Sequence, residues 1–210
     1  MLFKQIICFF CTIIFATVSY SSPGISDLAL KQFGFTAAIG YTGYQNMHQP
    51  DGQTPLLRLA LIKPLSITKK YNAGLELGVQ TGNTMTLNLP QNTVDAIGGL
   101  NVQTVMKPLV DVLVYISAPI NNSTFDLILK GGTAYRSWQL LDRCSGLSRF
   151  DGEVQAGVGY RANQTIQVSV LYQGIYGASP HFVANIAQDT CSVSNIPIQQ
   201  GVLLNFTYSV

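Results

Sequence analysis

The chain has 210 residues, of which only 10% are charged against ~25% in ordinary soluble domains, so much of its surface is not built for water. Its net charge of +2 falls to about +1 without Lys4, and no Lys/Arg run exists beyond Lys69-Lys70, which leaves no basic footprint for nucleic acid. No segment reaches the ~18 uninterrupted apolar residues that a membrane-crossing helix needs, which excludes helical membrane proteins.

Residues 1–21 have the three parts of an export signal: Lys4 as the positive head, the apolar stretch Ile6 to Ala16, and small residues at Ser19 and Ser21 suited to a peptidase. Residues 22–31 follow as a short polar lead-in, and residues 32–210 form a single domain. The 19 glycines and 20 Phe plus Tyr of the chain suit strands and interfacial aromatic girdles.

Eight segments then alternate apolar with small or polar residues at period two, the signature of strands with one apolar face. Phe33, Phe35, Ala37, Ile39 and Tyr41 predict strand one, and Leu57, Leu59 and Leu61 predict strand two over residues 55–63. Strand three carries Leu75, Leu77 and Val79 against Gly74, Glu76, Gly78 and Gln80. Strand four has Val110, Val112, Val114 and Ile116 outward and Asp111 inward; Pro108 cannot donate to a ladder, which predicts a bulge there or a start after it. Strand five sets Phe125, Leu127 and Leu129 against Asp126, Ile128 and Lys130. Strands six and seven follow with Val154 to Tyr160 and Ile166 to Tyr172 on their apolar faces. Strand eight carries Val202, Leu204, Phe206, Tyr208 and Val210 on one face to the end of the chain.

The connections run long and short in turn: 42–54 long, 64–70 short, 81–101 long, 118–123 short, 135–150 long, 162–164 short, 177–197 long. Eight such strands behind a secretory leader predict an all-β, antiparallel, up-and-down transmembrane barrel in a bacterial outer membrane, with short turns in the periplasm and long loops outside.

Strand parity puts Arg58, Glu76, Asp111, Asp126, Lys130, Glu153 and Arg161 on the face opposite the apolar one. An eight-stranded barrel is just wide enough inside for side chains to fill, so these groups must pair with one another. With symmetric short turns, Arg58 falls opposite Glu76 about residue 67, and Asp111 opposite Lys130 about a centre between residues 120 and 121. The expectation is a plug of ion pairs and hydrogen bonds; a narrow channel lined by the same charges is the alternative. None of the outward positions named above is charged, as hydrocarbon requires.

Strand count, loop alternation and the aromatic last strand resemble the small eight-stranded outer-membrane barrels, the OmpA transmembrane domain, OmpX and opacity-protein group. Family members usually finish on a phenylalanine read by the barrel assembly machinery, whereas this chain finishes Phe206-Thr-Tyr208-Ser-Val210. The resemblance implies a monomeric surface barrel of a Gram-negative bacterium, in contact with outer-membrane lipids and lipopolysaccharide.

Outside the leader stand Cys144 and Cys191, both in long connections, and in an oxidising compartment they are expected to form a disulfide in preference to a metal site. Arg136, Trp138, Arg143 and Arg149 lie in the third long connection and are expected to be a contact surface for host or cell-surface molecules. Ser179, His181 and Asp189 contain the ingredients of an acyl-transfer site, so an outer-membrane lipid A-modifying enzyme is an alternative, as is a small porin-like channel. The preferred expectation is a non-enzymatic display protein without cofactor.

Overall fold

The computed structural model describes residues 33–45, 47–48, 54–67, 71–87, 103–121, 123–140, 144–179, 182–185 and 190–209. The export signal and the lead-in lie outside them, as do Arg143, His181 and Asp189. Eight strands carry the fold: β1 Gly34–Tyr44, β2 Thr54–Ile67, β3 Asn72–Gln80, β4 Leu109–Pro119, β5 Phe125–Leu140, β6 Leu147–Arg161, β7 Ile166–Ile175 and β8 Gln199–Ser209. Each pairs antiparallel with its sequence neighbours, and β1 pairs with both β2 and β8, so the sheet closes on itself and has no free edge.

Burial is inverted relative to a water-soluble protein. Arg58, Asp111 and Asp126 are 0% exposed, whereas Leu59 is 45% and Leu129 52% exposed. Leu75, Val112 and Val168 also face outward. The period-two alternation causes this directly, since successive side chains on a strand point to opposite faces and closure turns one face into a lumen. β1 contributes Gly34, Thr36, Ala38, Gly40 and Thr42 to the inside, small residues that leave room for the long side chains of other strands.

Several expected boundaries move. β2 does not end at Lys63 but runs to Ile67, with a bulge between Pro64 and Ser66 where the proline has no N–H to offer. β4 starts at Leu109, immediately after Pro108. The third long connection is mostly sheet: β5 reaches Leu140 and β6 begins at Leu147, because the alternation of Lys130 continues through Ala134, Arg136 and Trp138.

At the same end of the barrel, Asn83–Leu87 and Gln103–Met106 form a hairpin that pairs with the tip of β5, and Met47–His48 pairs with Leu87 and Thr86. Phe182–Asn185 pairs with Thr190–Val193, and the latter runs parallel to Cys144–Ser145. The other end carries tight turns. Asn121 adopts φ 48°, and the N–H of Ser123 donates to the Ile120 carbonyl at 2.8 Å. Asn163 Oδ1 accepts from the N–H groups of Thr165 and Ile166 at 2.8 and 2.7 Å.

Candidate functional site in the barrel lumen

The sequence-predicted charges meet inside the cylinder; Arg58 does pair with Glu76, but not from directly opposite positions, and Asp111 pairs with Arg58 instead of Lys130. Arg58 does not sit opposite Glu76: β2 and β3 pair Arg58 with Gln80 and Ile62 with Glu76. Asp111 does not sit opposite Lys130 either, since β4 and β5 pair Asp111 with Ala134 and Tyr115 with Lys130. Both hairpins turn further along the chain than symmetry about the proposed centres requires. β2 continues past its bulge, and the β4–β5 turn is built around the left-handed Asn121.

Long side chains then choose partners diagonally. Arg58 donates from Nε and Nη2 to Asp111 at 3.0 and 2.5 Å, and its Nη1 lies 2.7 Å from Glu76 Oε1. Lys130 Nζ donates to Glu76 Oε2 at 2.7 Å. Arg58 therefore lies between two carboxylates, and Glu76 between two cations. All four groups are buried, so the fixed geometry of guanidinium and carboxylate offsets desolvation that neither charge could bear alone.

Glu153 takes a different set of partners. Its Oε1 accepts from the amides of Gln155 and Gln173, each at 2.7 Å, and Gln173 also donates to Gln80 Oε1 at 3.0 Å. Toward the short-turn end, Arg161 Nη2 donates to both oxygens of Asp126 at 2.5 and 2.7 Å, with Gln167 donating to the same carboxylate. A buried apolar cluster of Leu56, Ile128, Leu171 and Leu203 fills another part of the lumen.

The long-loop end holds a third arginine site, and here an expectation fails. Arg136 and Trp138 were expected in an exposed loop as contact residues; both point inward from β5 and are 0% exposed. Arg136 donates to Asp151 Oδ2 from Nε and Nη2 at 2.8 and 2.6 Å, to the Pro197 carbonyl at 2.8 Å and to the Tyr176 carbonyl at 2.7 Å. Asp151 also holds Arg149 at 2.6 Å, so Arg149 belongs to this clamp while staying partly exposed. Ile196 is buried beside them, as are Leu109, Ala134 and Ile175. Sequence reading missed Asp151, Tyr176 and Pro197; shared parity with Glu153 could have found the first, but no local signal marks the other two.

The outer face carries its own measure of length. Phe125 and Tyr160 meet at 5.4 Å between ring centroids near one end of the β5–β6 hairpin, and Tyr135 and Phe150 meet at 5.1 Å ten residues along β5. At ~3.3 Å per residue and a tilt near 40°, ten residues span about 25 Å, the height of the apolar band of a membrane barrel. At the short-turn end Lys63 places its ammonium 4.5 Å from the centre of the Phe33 ring, where a long cationic side chain reaches past the apolar band. A cylinder with leucine outside, ion pairs inside and no unpaired sheet edge is a structure that hydrocarbon solvates.

Among the described residues no helix is long and apolar enough to cross a membrane, and no group of three or more His, Cys, Asp or Glu side chains could hold a metal ion. No protein-family model and no curated protein matches the chain. Solved structures do. Neisserial surface protein A superposes with a TM-score of 0.51 at 8% identity, covering 85% of this chain and 97% of that one. The outer membrane protein OprG of Pseudomonas aeruginosa gives 0.51 at 11% identity, covering 86% and 97%. At these identities the likeness is one of architecture, and the chain has the fold of the small eight-stranded outer-membrane β-barrels.

Proposed function

We propose that this protein is a non-enzymatic outer-membrane barrel of a Gram-negative bacterium that displays its long connections at the cell surface. The observation that carries the reading is the filled lumen. Arg58, Glu76, Asp111 and Glu153 are at most 1% exposed, and each makes hydrogen bonds or ion pairs within the interior. A rigid plugged cylinder has little to offer as a pore, and its sheet extensions at one end provide the surface that a partner can reach. Lipopolysaccharide, other cells or host molecules are the partner class, and the barrel works as a monomer among outer-membrane lipids, inserted by the barrel assembly machinery.

Two measurements test it. In planar bilayers the purified protein gives no conductance steps, and protease added to intact cells cuts the long connections while leaving the barrel strands whole. A steady single-channel conductance would establish the pore instead. Cleavage only after the outer membrane is opened would reverse the orientation.

A further inference from the structure

Cys144 and Cys191 lie 47 positions apart in the chain and meet in the backbone. Cys144–Ser145 stands between β5 and β6, Thr190–Val193 between β7 and β8, and the two run parallel with Cys191 paired directly with Cys144. Directly paired residues of adjacent strands present their Cβ atoms to the same face, and adjacent strands lie about 4.8 Å apart. A disulfide needs Cα atoms ~4.4–6.8 Å apart. The register therefore puts the two backbones at a spacing within the range that a bridge spans.

Side-chain contacts lower down bring the same two chain segments together independently of the cysteines. Arg136 of β5 binds the carbonyls of Tyr176 and Pro197, the two roots of the β7–β8 connection. The Ala178 N–H donates to the Ile196 carbonyl at 3.0 Å, which closes those roots on each other. Arg149 of β6 reaches Asn195 Oδ1 at 3.5 Å. The connection is thus seated against the β5–β6 hairpin on both sides of Cys191 in the chain.

We propose that Cys144 and Cys191 form an intramolecular disulfide, a covalent outer tier above the arginine clamp. Two S–H bonds break and one S–S bond forms. The two electrons and two protons pass by thiol–disulfide exchange to an oxidised dithiol protein, whose own disulfide becomes two thiols. The bridge fixes the parallel junction on which Phe182–Asn185 is hung, so the displayed surface keeps one shape when a partner binds, with less ordering left to do at that moment.

The test uses the full chain, purified without reductant, treated with oxidised glutathione, blocked with iodoacetamide and mapped by chymotryptic peptides. The expected result is one peptide pair joined through Cys144 and Cys191 within a single chain, and cleavage after Phe182 that becomes several-fold faster on reduction. Alkylated thiols at both positions, a stable glutathione adduct on either cysteine, or a bridge between two chains would each overturn the proposal. The double variant Cys144→Ser, Cys191→Ser, still migrating as a heat-modifiable folded barrel, should be cut at the fast rate with or without reductant. Slow cleavage of that variant would show that no bridge holds the connection.

Discussion

Arg58 and Asp111 meet over Gly78, which stands on the strand between theirs and has no side chain to part them. A Cβ built on Gly78 would fall 2.6 Å from Asp111 Oδ1 and closer still to the Arg58 guanidinium. The alternating pattern of β3 requires a small inward residue there, and the ion pair requires the smallest.

Gly78→Val should therefore separate Arg58 from Asp111 and destabilise the barrel by about 1–3 kcal/mol through overpacking. Equilibrium urea unfolding in lipid vesicles reads this through Trp138, the sole tryptophan, which is fully buried. Stability equal to wild type would mean that the guanidinium has a second comfortable position.

Removing Arg58 or Lys130 should have unequal effects. Arg58→Met leaves Asp111 without its cation and Glu76 with Lys130 alone, at a cost of about 3–5 kcal/mol for a broken buried pair. Lys130→Met leaves Glu76 still paired with Arg58 and should cost less, about 1–3 kcal/mol. The same unfolding assay ranks them, and a reversed order would sink the shared role given to Arg58.

Leu129 faces outward roughly midway between the two aromatic pairs of the β5–β6 hairpin and is 52% exposed. Leu129→Arg should cost about 2–4 kcal/mol in a bilayer, because a guanidinium near the midplane must displace lipid or draw in water. Folding into vesicles, followed by heat-modifiable gel migration, measures the loss. A neutral result would place Leu129 outside hydrocarbon and reverse the assignment of the two faces.

Arg136→Met should loosen one connection while sparing the cylinder. The carbonyls of Tyr176 and Pro197 lose their donor, at about 1–3 kcal/mol for a buried group left unpaired, whereas Asp151 keeps Arg149. Limited proteolysis should cut residues 177–197 faster, with the heat-modifiable shift retained. Equal cleavage rates would show that the clamp does not restrain that segment.

Asn121 tests the short turn. Its φ of 48° suits glycine and asparagine and is hostile to branched side chains. Asn121→Gly should be close to neutral and Asn121→Val should cost about 1–2 kcal/mol, measured by urea midpoint. Equal midpoints for both would show that the turn relaxes into another form.

The strand count, the face of each residue and the division into lipid-facing and lumen-facing sets were legible from the sequence, because period-two alternation is local: one residue's parity settles its side. Leu59 outward and Arg58 inward follow from that alone. The Arg58–Glu76 pair was legible but the remaining partners were not, since partners depend on register, and register depends on where Pro64 bulges β2 and where Asn121 turns the chain. Glu76 accordingly joins Lys130 as well as Arg58, and Asp111 joins Arg58. The fate of Arg136 and Trp138 was hidden for a related reason. A hairpin that continues beyond the apolar band keeps its alternation but loses the lipid-facing signal that marks a strand, so only the closed tertiary structure shows that these side chains cap the lumen instead of meeting a partner.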